Sequence, residues 1–260
     1  MPEMLEVELY RQLATRVLGR VIARVDAPDQ WFLKGRLTGD HVRDALVGRS
    51  FGADRRIGKL LLLDVVDGPT LGLRFGMTGR LIVDGEAAIA RLEYGAAAGR
   101  SAWDRFGIAF DDGGSLVLRD PRRLGGVELD PDESRLGPDA LEVTPAQLRG
   151  ILARSAAPLK ARLLDQSRLA GVGNLLADEM LWRAGLDPAR VASSLTPAEV
   201  RRLHRHLRDT LDELTDRGGS HTGDLQVMRS TDGVCPKDGE PLQQRTIGGR
   251  TTYSCPRHQR

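Results

Sequence analysis

The spacing of apolar residues changes along the 260-residue chain, and each change predicts a different kind of element. In EMLEVELYRQLATRVLG, Leu5, Leu9, Leu13 and Val17 recur at helical intervals until Gly19, which predicts one amphipathic helix at the N-terminus. From about Val21 to Asp130 the pattern becomes strand-like. VIARV, KLLLLDVV, LGLRF and RLIV read as strands, and FGIAFDDGGSLVLRD reads as a hairpin turning at Asp112-Gly113. A β-sandwich or barrel with a helical lid is expected. The stretch DPDESRLGPDALEV is polar, turn-rich and aperiodic, the pattern of a linker.

Helical periodicity returns beyond it. TPAQ at Thr144 and TPAE at Thr196 each offer an N-cap threonine, a first-turn proline, and Gln147 or Glu199 three residues after the cap. The helix after Thr196 sets Val200, Leu203, Leu207, Leu211 and Leu214 on one face and stops at Gly218-Gly219. That is a core stripe, with His204 and His206 expected at the surface. In PLKARLLDQSRLAGVGNLLADEMLWRAGL, two helices joined by the AGVGN turn aim the N-terminus of the second helix, with Asn174, outward. Backbone N–H groups at such an end favour a phosphate, Asn174 adds a side-chain donor, and Lys160 can reach a neighbouring phosphate. An ordinary helical hairpin with glycines for close packing accounts for the same stretch. From about Leu225 the pattern is of short strands.

Composition narrows the field. At 40% apolar residues the chain can bury a substantial core. No apolar run reaches the length of a transmembrane helix, and Glu3, Glu6 and Glu8 exclude a basic, then apolar, secretory leader, so a cytoplasmic protein with no membrane partner is expected. With 38 basic and 36 acidic residues the net charge is +2, so local clusters rather than the overall field must carry any nucleic-acid binding. Only Lys34, Lys59, Lys160 and Lys237 are lysines, and Asn174 is the sole asparagine. The two cysteines lie near the C-terminus, which suits metal-binding or free thiols in a reducing compartment. In CPKDGEPLQQRTIGGRTTYSCPRHQ, Cys235 and Asp238 form a C-x-x-D knuckle, and Cys255 and His258 a C-x-x-H knuckle, on either side of a hairpin. Paired ligands at that spacing match a tetrahedral structural zinc site. The other reading leaves both cysteines unligated.

The start, MPEMLEVE, carries distinct chemistry. Once Met1 is removed, Pro2 presents a secondary amine, a nucleophile unlike any internal residue, beside Glu3 as a proton carrier. Lys59 in RRIGKLLLL, Met77 in FGMTGR, and Arg122 with Leu124 in DPRRLGG each have an ordinary role available: snorkelling lysine, core methionine, turn residues.

Taken in order, these pieces give the chain a close resemblance to the formamidopyrimidine-DNA glycosylase and endonuclease VIII family of helix-two-turns-helix DNA glycosylases, nearer the former branch. MPE with EVE, the lysine of KLLLL, GMTG, DPRRxG, PLK, GVGN followed by ADE, and the knuckled hairpin with GGR occur in the family's order, nearly end to end. The resemblance implies an α+β chain: a catalytic β-sandwich with an N-terminal helix over residues 1–133, a linker at 134–143, a helix-two-turns-helix DNA-binding domain at 144–224, and a zinc-finger hairpin at 225–260. It implies a bifunctional glycosylase and AP lyase of base excision repair, acting on oxidised or ring-opened purines in double-stranded DNA as a monomer in the bacterial cytoplasm. By the same resemblance Pro2 would attack C1′, Glu3 shuttle protons, Glu6 support the N-terminus, and Lys59 meet the sugar-phosphate of the flipped nucleotide. Met77, Arg122 and Leu124 would fill the vacated space, while Lys160, Asn174 and Arg250 would clamp the flanking phosphates. Cys235, Asp238, Cys255 and His258 would hold structural Zn²⁺.

Four departures from the family pattern bear on specificity and metal affinity. Leu124 stands where an aromatic is usual. The segment between Gly219 and Cys235 is shorter than in the purine-specific branch, which caps an everted 8-oxoguanine there. MPEMLE lacks a second proline, and Asp238 and His258 replace cysteines, which implies weaker metal binding in a retained tetrahedral site. Oxidised pyrimidines are the alternative substrates. A catalytically silent lesion-binding protein, and a helix-two-turns-helix scaffold unrelated to repair, are the alternatives from other classes.

Overall fold

The computed structural model describes residues 2–89 and 101–260, and the chain divides by its internal contacts into two units, Met1–Glu133 and Ser134–Arg260.

The first unit opens with α1 (Met4–Ala14), which buries Met4, Leu5, Val7, Tyr10 and Ala14. The helical spacing runs on to Val17, but the chain tightens into a single 3-10 turn over Thr15–Val17, so the predicted helix is shorter than its pattern. After β1 (Ile22–Asp26) comes α2 (Gly39–Leu46), whose N-cap Thr38 accepts a hydrogen bond from the His41 N–H at 3.3 Å. The remaining strands are β2 (Phe51–Ile57), β3 (Leu60–Val65), β4 (Thr70–Arg74), β5 (Arg80–Val83), β6 (Glu86–Ala87), β7 (Asp104–Phe110), β8 (Ser115–Arg119) and β9 (Gly126–Leu129). They form two antiparallel sheets, ordered β1-β7-β8-β5-β6 and β2-β3-β4-β9. Val25, Ile108, Leu116, Leu118, Leu81 and Val83 of the first sheet share one apolar core with Leu61, Leu63, Leu71, Leu73 and Val127 of the second. This is the expected sandwich, built as alternating strands require when one face is buried. The β7–β8 hairpin turns at Asp112-Gly113, with Gly113 at φ +87°.

The second unit contains α3 (Pro145–Ala153), α4 (Leu159–Leu163), α5 (Asn174–Ala184), α6 (Pro197–Asp216) and the hairpin of β10 (Gln243–Ile247) and β11 (Arg250–Ser254). Both capping boxes form: Thr144 with Gln147 starts α3, and Thr196 with Glu199 starts α6. Val200, Leu203, Leu207, Leu211 and Leu214 of α6 are all buried. His204 is half-buried rather than at the surface, its Nε2 lying 2.7 Å from the Val143 carbonyl, and His206 is half-buried too. The segment expected to be a linker is stitched to the turn between α4 and α5 through Gly137 N–H to Gln166 O at 2.9 Å and Ala140 N–H to Ala170 O at 2.9 Å. Among the described residues no helix is long and apolar enough to cross a membrane.

Candidate active site, DNA-contact turns and metal centre

The N-terminus is fixed by the first turn of α1. Glu3 is its N-cap and donates its N–H to Glu6 Oε2 at 2.8 Å, with Pro2, Glu3 and Glu6 all buried. Glu6 thereby sets the position of the Pro2-Glu3 peptide. Met1, and with it the expectation of its removal, lies outside the described residues. Lys59 belongs to the tight turn joining β2 to β3 rather than to a strand, beside Gly58 at φ +57°. Arg56 ties that turn to α1, donating to the Gly58 carbonyl at 2.8 Å and to Glu8 at 3.2 Å.

Met77, Arg122 and Leu124 sit on two turns that one carboxylate draws together. Met77 is half-buried in the turn after β4, while Arg122 and Leu124 are exposed in the loop after β8, Leu124 by 50%. Asp120 is fully buried beneath them. Its Oδ1 accepts from Thr78 Oγ1 at 2.5 Å and from Arg122 N–H at 3.1 Å, and its Oδ2 accepts from the Leu124 and Gly125 N–H groups at 2.8 Å each. Gly76, at φ +55°, lies so close that a Cβ there would stand 2.4 Å from the Leu124 carbonyl carbon. Tyr10 reaches the same turn from α1, donating to the Gly79 carbonyl at 3.1 Å, and its ring centroid is 4.5 Å from that of Phe75. Burial pushes the Tyr10 hydroxyl upward, so it stays a neutral donor. Arg123 takes a left-handed backbone, φ +57°, and is held there by Asp29 at 2.6 and 2.7 Å. The sequence reading missed Asp120 and Thr78; the aspartate that opens DPRR was the available signal.

In the second unit Asn174 begins α5, after Gly173, and its Nδ2 donates to the Thr251 carbonyl at 3.1 Å. Arg250 is exposed at the first position of β11, after the Gly248-Gly249 turn. Lys160 differs from expectation. It is fully buried, its ammonium 2.7 Å from Asp178 Oδ1 and 2.7 Å from Thr252 Oγ1, so it lies beneath the surface rather than on it. Asp178 also receives Arg229 at 3.2 Å and the Tyr253 N–H at 3.2 Å. Burial pushes this carboxyl upward against the pull of Lys160 and Arg229, which oppose the shift by favouring its charged form. Lys160 thus ties α4 and α5 to the strand that carries Arg250. An acid in an otherwise buried stretch, NLLADEMLW, was the sequence signal for Asp178.

The two knuckles converge. One ligand atom from each of Cys235, Asp238, Cys255 and His258 lies within 4.8 Å of every other. His258 Nδ1 is 3.6 Å from Cys235 Sγ and 3.1 Å from Asp238 Oδ2, and Cys255 Sγ is 3.4 Å from Asp238 Oδ2. Ligands about 2.0–2.3 Å from a tetrahedral zinc stand roughly 3.5 Å apart, so the donor set and its spacing fit that ion. His258 Nε2 lies 3.2 Å from the Trp182 carbonyl, an acceptor that favours the tautomer with Nδ1 free for metal. Trp182 Nε1 donates to Cys235 Sγ at 3.3 Å, and the Cys255 N–H donates to Gln259 at 2.7 Å. Burial pushes the Cys255 thiol up to about 11, a cost that a coordinated cation offsets.

The short segment between Gly219 and Cys235 is tied down. Buried Glu179 accepts from the Asp224 N–H at 3.2 Å and the Leu225 N–H at 2.9 Å.

Comparison with known proteins agrees over the whole length. Residues 1–127 match the family model of the formamidopyrimidine-DNA glycosylase N-terminal domain, and residues 136–225 that of the formamidopyrimidine-DNA glycosylase H2TH domain. The formamidopyrimidine-DNA glycosylase of Paracoccus denitrificans is 35% identical, with 98% of this chain and 99% of that protein covered. That of Thermus thermophilus is 37% identical, with 98% and 97% covered. The Lactococcus lactis Fpg crystallised with abasic-site DNA superimposes with a TM-score of 0.84 at 25% identity, and a mutant of it with Fapy-dG DNA gives 0.85 at 26%, each over the full length of both chains. The chain belongs to the formamidopyrimidine-DNA glycosylase family.

Proposed function

We propose that the protein is a bifunctional DNA glycosylase and AP lyase of base excision repair, acting on oxidised or ring-opened purines in bacterial cytoplasmic DNA. The observation that carries this reading is the Pro2-Glu3 pair held at the head of α1 by Glu6, in a chain 37% identical to an enzyme of that name. With Met1 removed, Pro2 carries a free α-nitrogen, and α-amino groups as a class titrate at about 7.7–8.0, which leaves a neutral, nucleophilic fraction at physiological pH. Its lone pair attacks C1′ as the bond to the damaged base breaks, and the base leaves with a proton. Opening of the sugar gives an iminium, which acidifies the C2′ hydrogen. Loss of that proton expels the 3′ phosphate, a second elimination expels the 5′ phosphate, and hydrolysis frees Pro2. Glu3 carries the protons. Lys59 meets the sugar-phosphate of the flipped nucleotide.

Flipping the base out costs a few kcal/mol of stacking and pairing. Met77, Arg122 and Leu124 fill the space it leaves, Arg122 hydrogen-bonding the orphaned base. Asn174 and Arg250 grip flanking phosphates, and Lys160 positions the strand that bears Arg250. Structural Zn²⁺, bound by Cys235, Asp238, Cys255 and His258, fixes the hairpin. The residues divide into a catalytic domain at 1–133, a connecting segment at 134–143, a helix-two-turns-helix domain at 144–224 and the hairpin at 225–260.

The test is borohydride trapping of the Met1-free protein on duplexes carrying one 8-oxoguanine or one abasic site, with the crosslinked peptide read by mass spectrometry. A crosslink at Pro2 from both is expected, lost in Pro2→Gly while lesion binding persists. Trapping on the abasic site alone keeps the lyase and redirects the substrate to oxidised pyrimidines. Binding without any trapping would establish a silent lesion binder instead.

A further inference from the structure

Trp31 is 71% exposed, whereas Trp182 is buried and Trp103 half-buried. The next residue, Phe32, is fully buried, so the single turn Gln30–Phe32 anchors itself through one aromatic and presents the other to solvent. That turn is fastened to the loop bearing Arg122 and Leu124. Asp29 takes the Arg123 guanidinium at 2.6 and 2.7 Å, and a Cβ on Gly125 would meet the Phe32 ring at 3.0 Å. Leu33 bridges Val127 in parallel, and the Lys34 N–H donates to the Val127 carbonyl at 2.9 Å. Residues 29–34 are therefore held beside 123–127 at both ends, Asp29 by Arg123 and Leu33 by Val127, so the turn that carries Trp31 is part of the same loop cluster as Arg122 and Leu124.

An indole left in water marks a contact site, and the exposed Arg36 and Arg122 of the two adjoining loops suit a polyanion. Leu124 is aliphatic and half-exposed; it can wedge between bases but offers no π-face.

We propose that Trp31 contacts DNA, packing its indole on the strand opposite the damaged base beside the point where Leu124 enters. This rests on the reading above in which Arg122 and Leu124 address the orphaned base. Stacking on a base is sequence-tolerant, so Trp31 contributes affinity and support for the orphaned nucleotide more than sequence choice.

The probe is a duplex containing an uncleavable tetrahydrofuran abasic analogue. Trp31→Ala is expected to weaken its binding by about tenfold and Trp31→Phe to restore most of that loss, as a stacking role requires. The slope of log affinity against log salt stays the same, because no phosphate contact is removed. Saturating DNA quenches the tryptophan emission of the wild-type protein, and Trp31→Phe loses that quench. Wild-type affinity in Trp31→Ala, or a quench that persists in Trp31→Phe, overturns the proposal while leaving the proposed function standing. A wild-type protein that prefers neither the analogue nor an abasic site over undamaged duplex overturns both. The exposure of Trp31 makes both variants foldable, which thermal unfolding checks.

Discussion

Each unit of the chain is organised around a buried aspartate, and the two are satisfied by opposite means. Asp120 receives only neutral donors, three backbone N–H groups and one hydroxyl, and shapes a turn that displays Arg122 and Leu124. Asp178 receives two cations, Lys160 and Arg229, along with one backbone N–H, and pins a β-hairpin to two helices. A turn needs directional acceptors for its own N–H groups. A hairpin with almost no apolar interior of its own needs strong, long-range ties, supplied here by ion pairs and by the knuckled cluster, around which Trp182, Leu225 and Leu242 form a small satellite core.

Metal removal tests that contrast most severely. Chelation is expected to take one equivalent of zinc, measurable by mass spectrometry, and to lower the thermal stability of the second unit, since structural zinc contributes about 10–16 kcal/mol in isolated finger peptides. Cys235→Ser reproduces the loss. Next in size, Asp178→Ala leaves Lys160 and Arg229 buried without a counter-charge and is expected to cost about 3–5 kcal/mol in denaturant unfolding. Replacing all three by apolar residues of similar volume recovers most of it. Recovery of stability without recovery of DNA affinity would show that the ionic trio serves position rather than folding. Asp120→Asn keeps one acceptor oxygen for four donors and is expected to cost about 2 kcal/mol, with weaker discrimination of the base opposite the lesion. The smallest effect is acid-induced. Arg190 holds the Glu199 carboxyl down to about 2 from an ordinary 4.5, assisted by Thr196, so its contribution to the α6 cap is complete above pH 4.5 and is lost as pH falls from there towards 2. Glu199→Gln abolishes that part of the acid response in circular dichroism.

Much of this was legible from local pattern. The two capping boxes, the α6 stripe, the β7–β8 hairpin and the converging knuckles each depend on residues a few positions apart, or on two such motifs. What escaped depends on distant partners. β2 reads FGADRRI, with no apolar alternation, because its polar side chains are ion-paired: Asp54 with Arg11, Arg55 with Asp64 and Glu133, Arg56 with Glu8. Lys160 reads as a surface cation because Asp178 follows 18 positions later and Thr252 lies 92 away. Asp120 shows as a turn residue, but its tie to Thr78 spans 42 positions. In each case a charge that looks solvent-facing in one dimension is paired or hydrogen-bonded by a residue that only folding brings near.

The contact of Gly76 with the backbone of Leu124 and Gly125 has a kinetic consequence. With no side chain between them, and Asp120 bonded to both, the turn of Met77 and the loop of Leu124 form one stiff claw. On the proposed function, its entry into a duplex is then expected to be a single event with one rate constant. Shortening either tooth is expected to slow the same phase of a stopped-flow trace, and a methyl group at position 76 to split that phase into two.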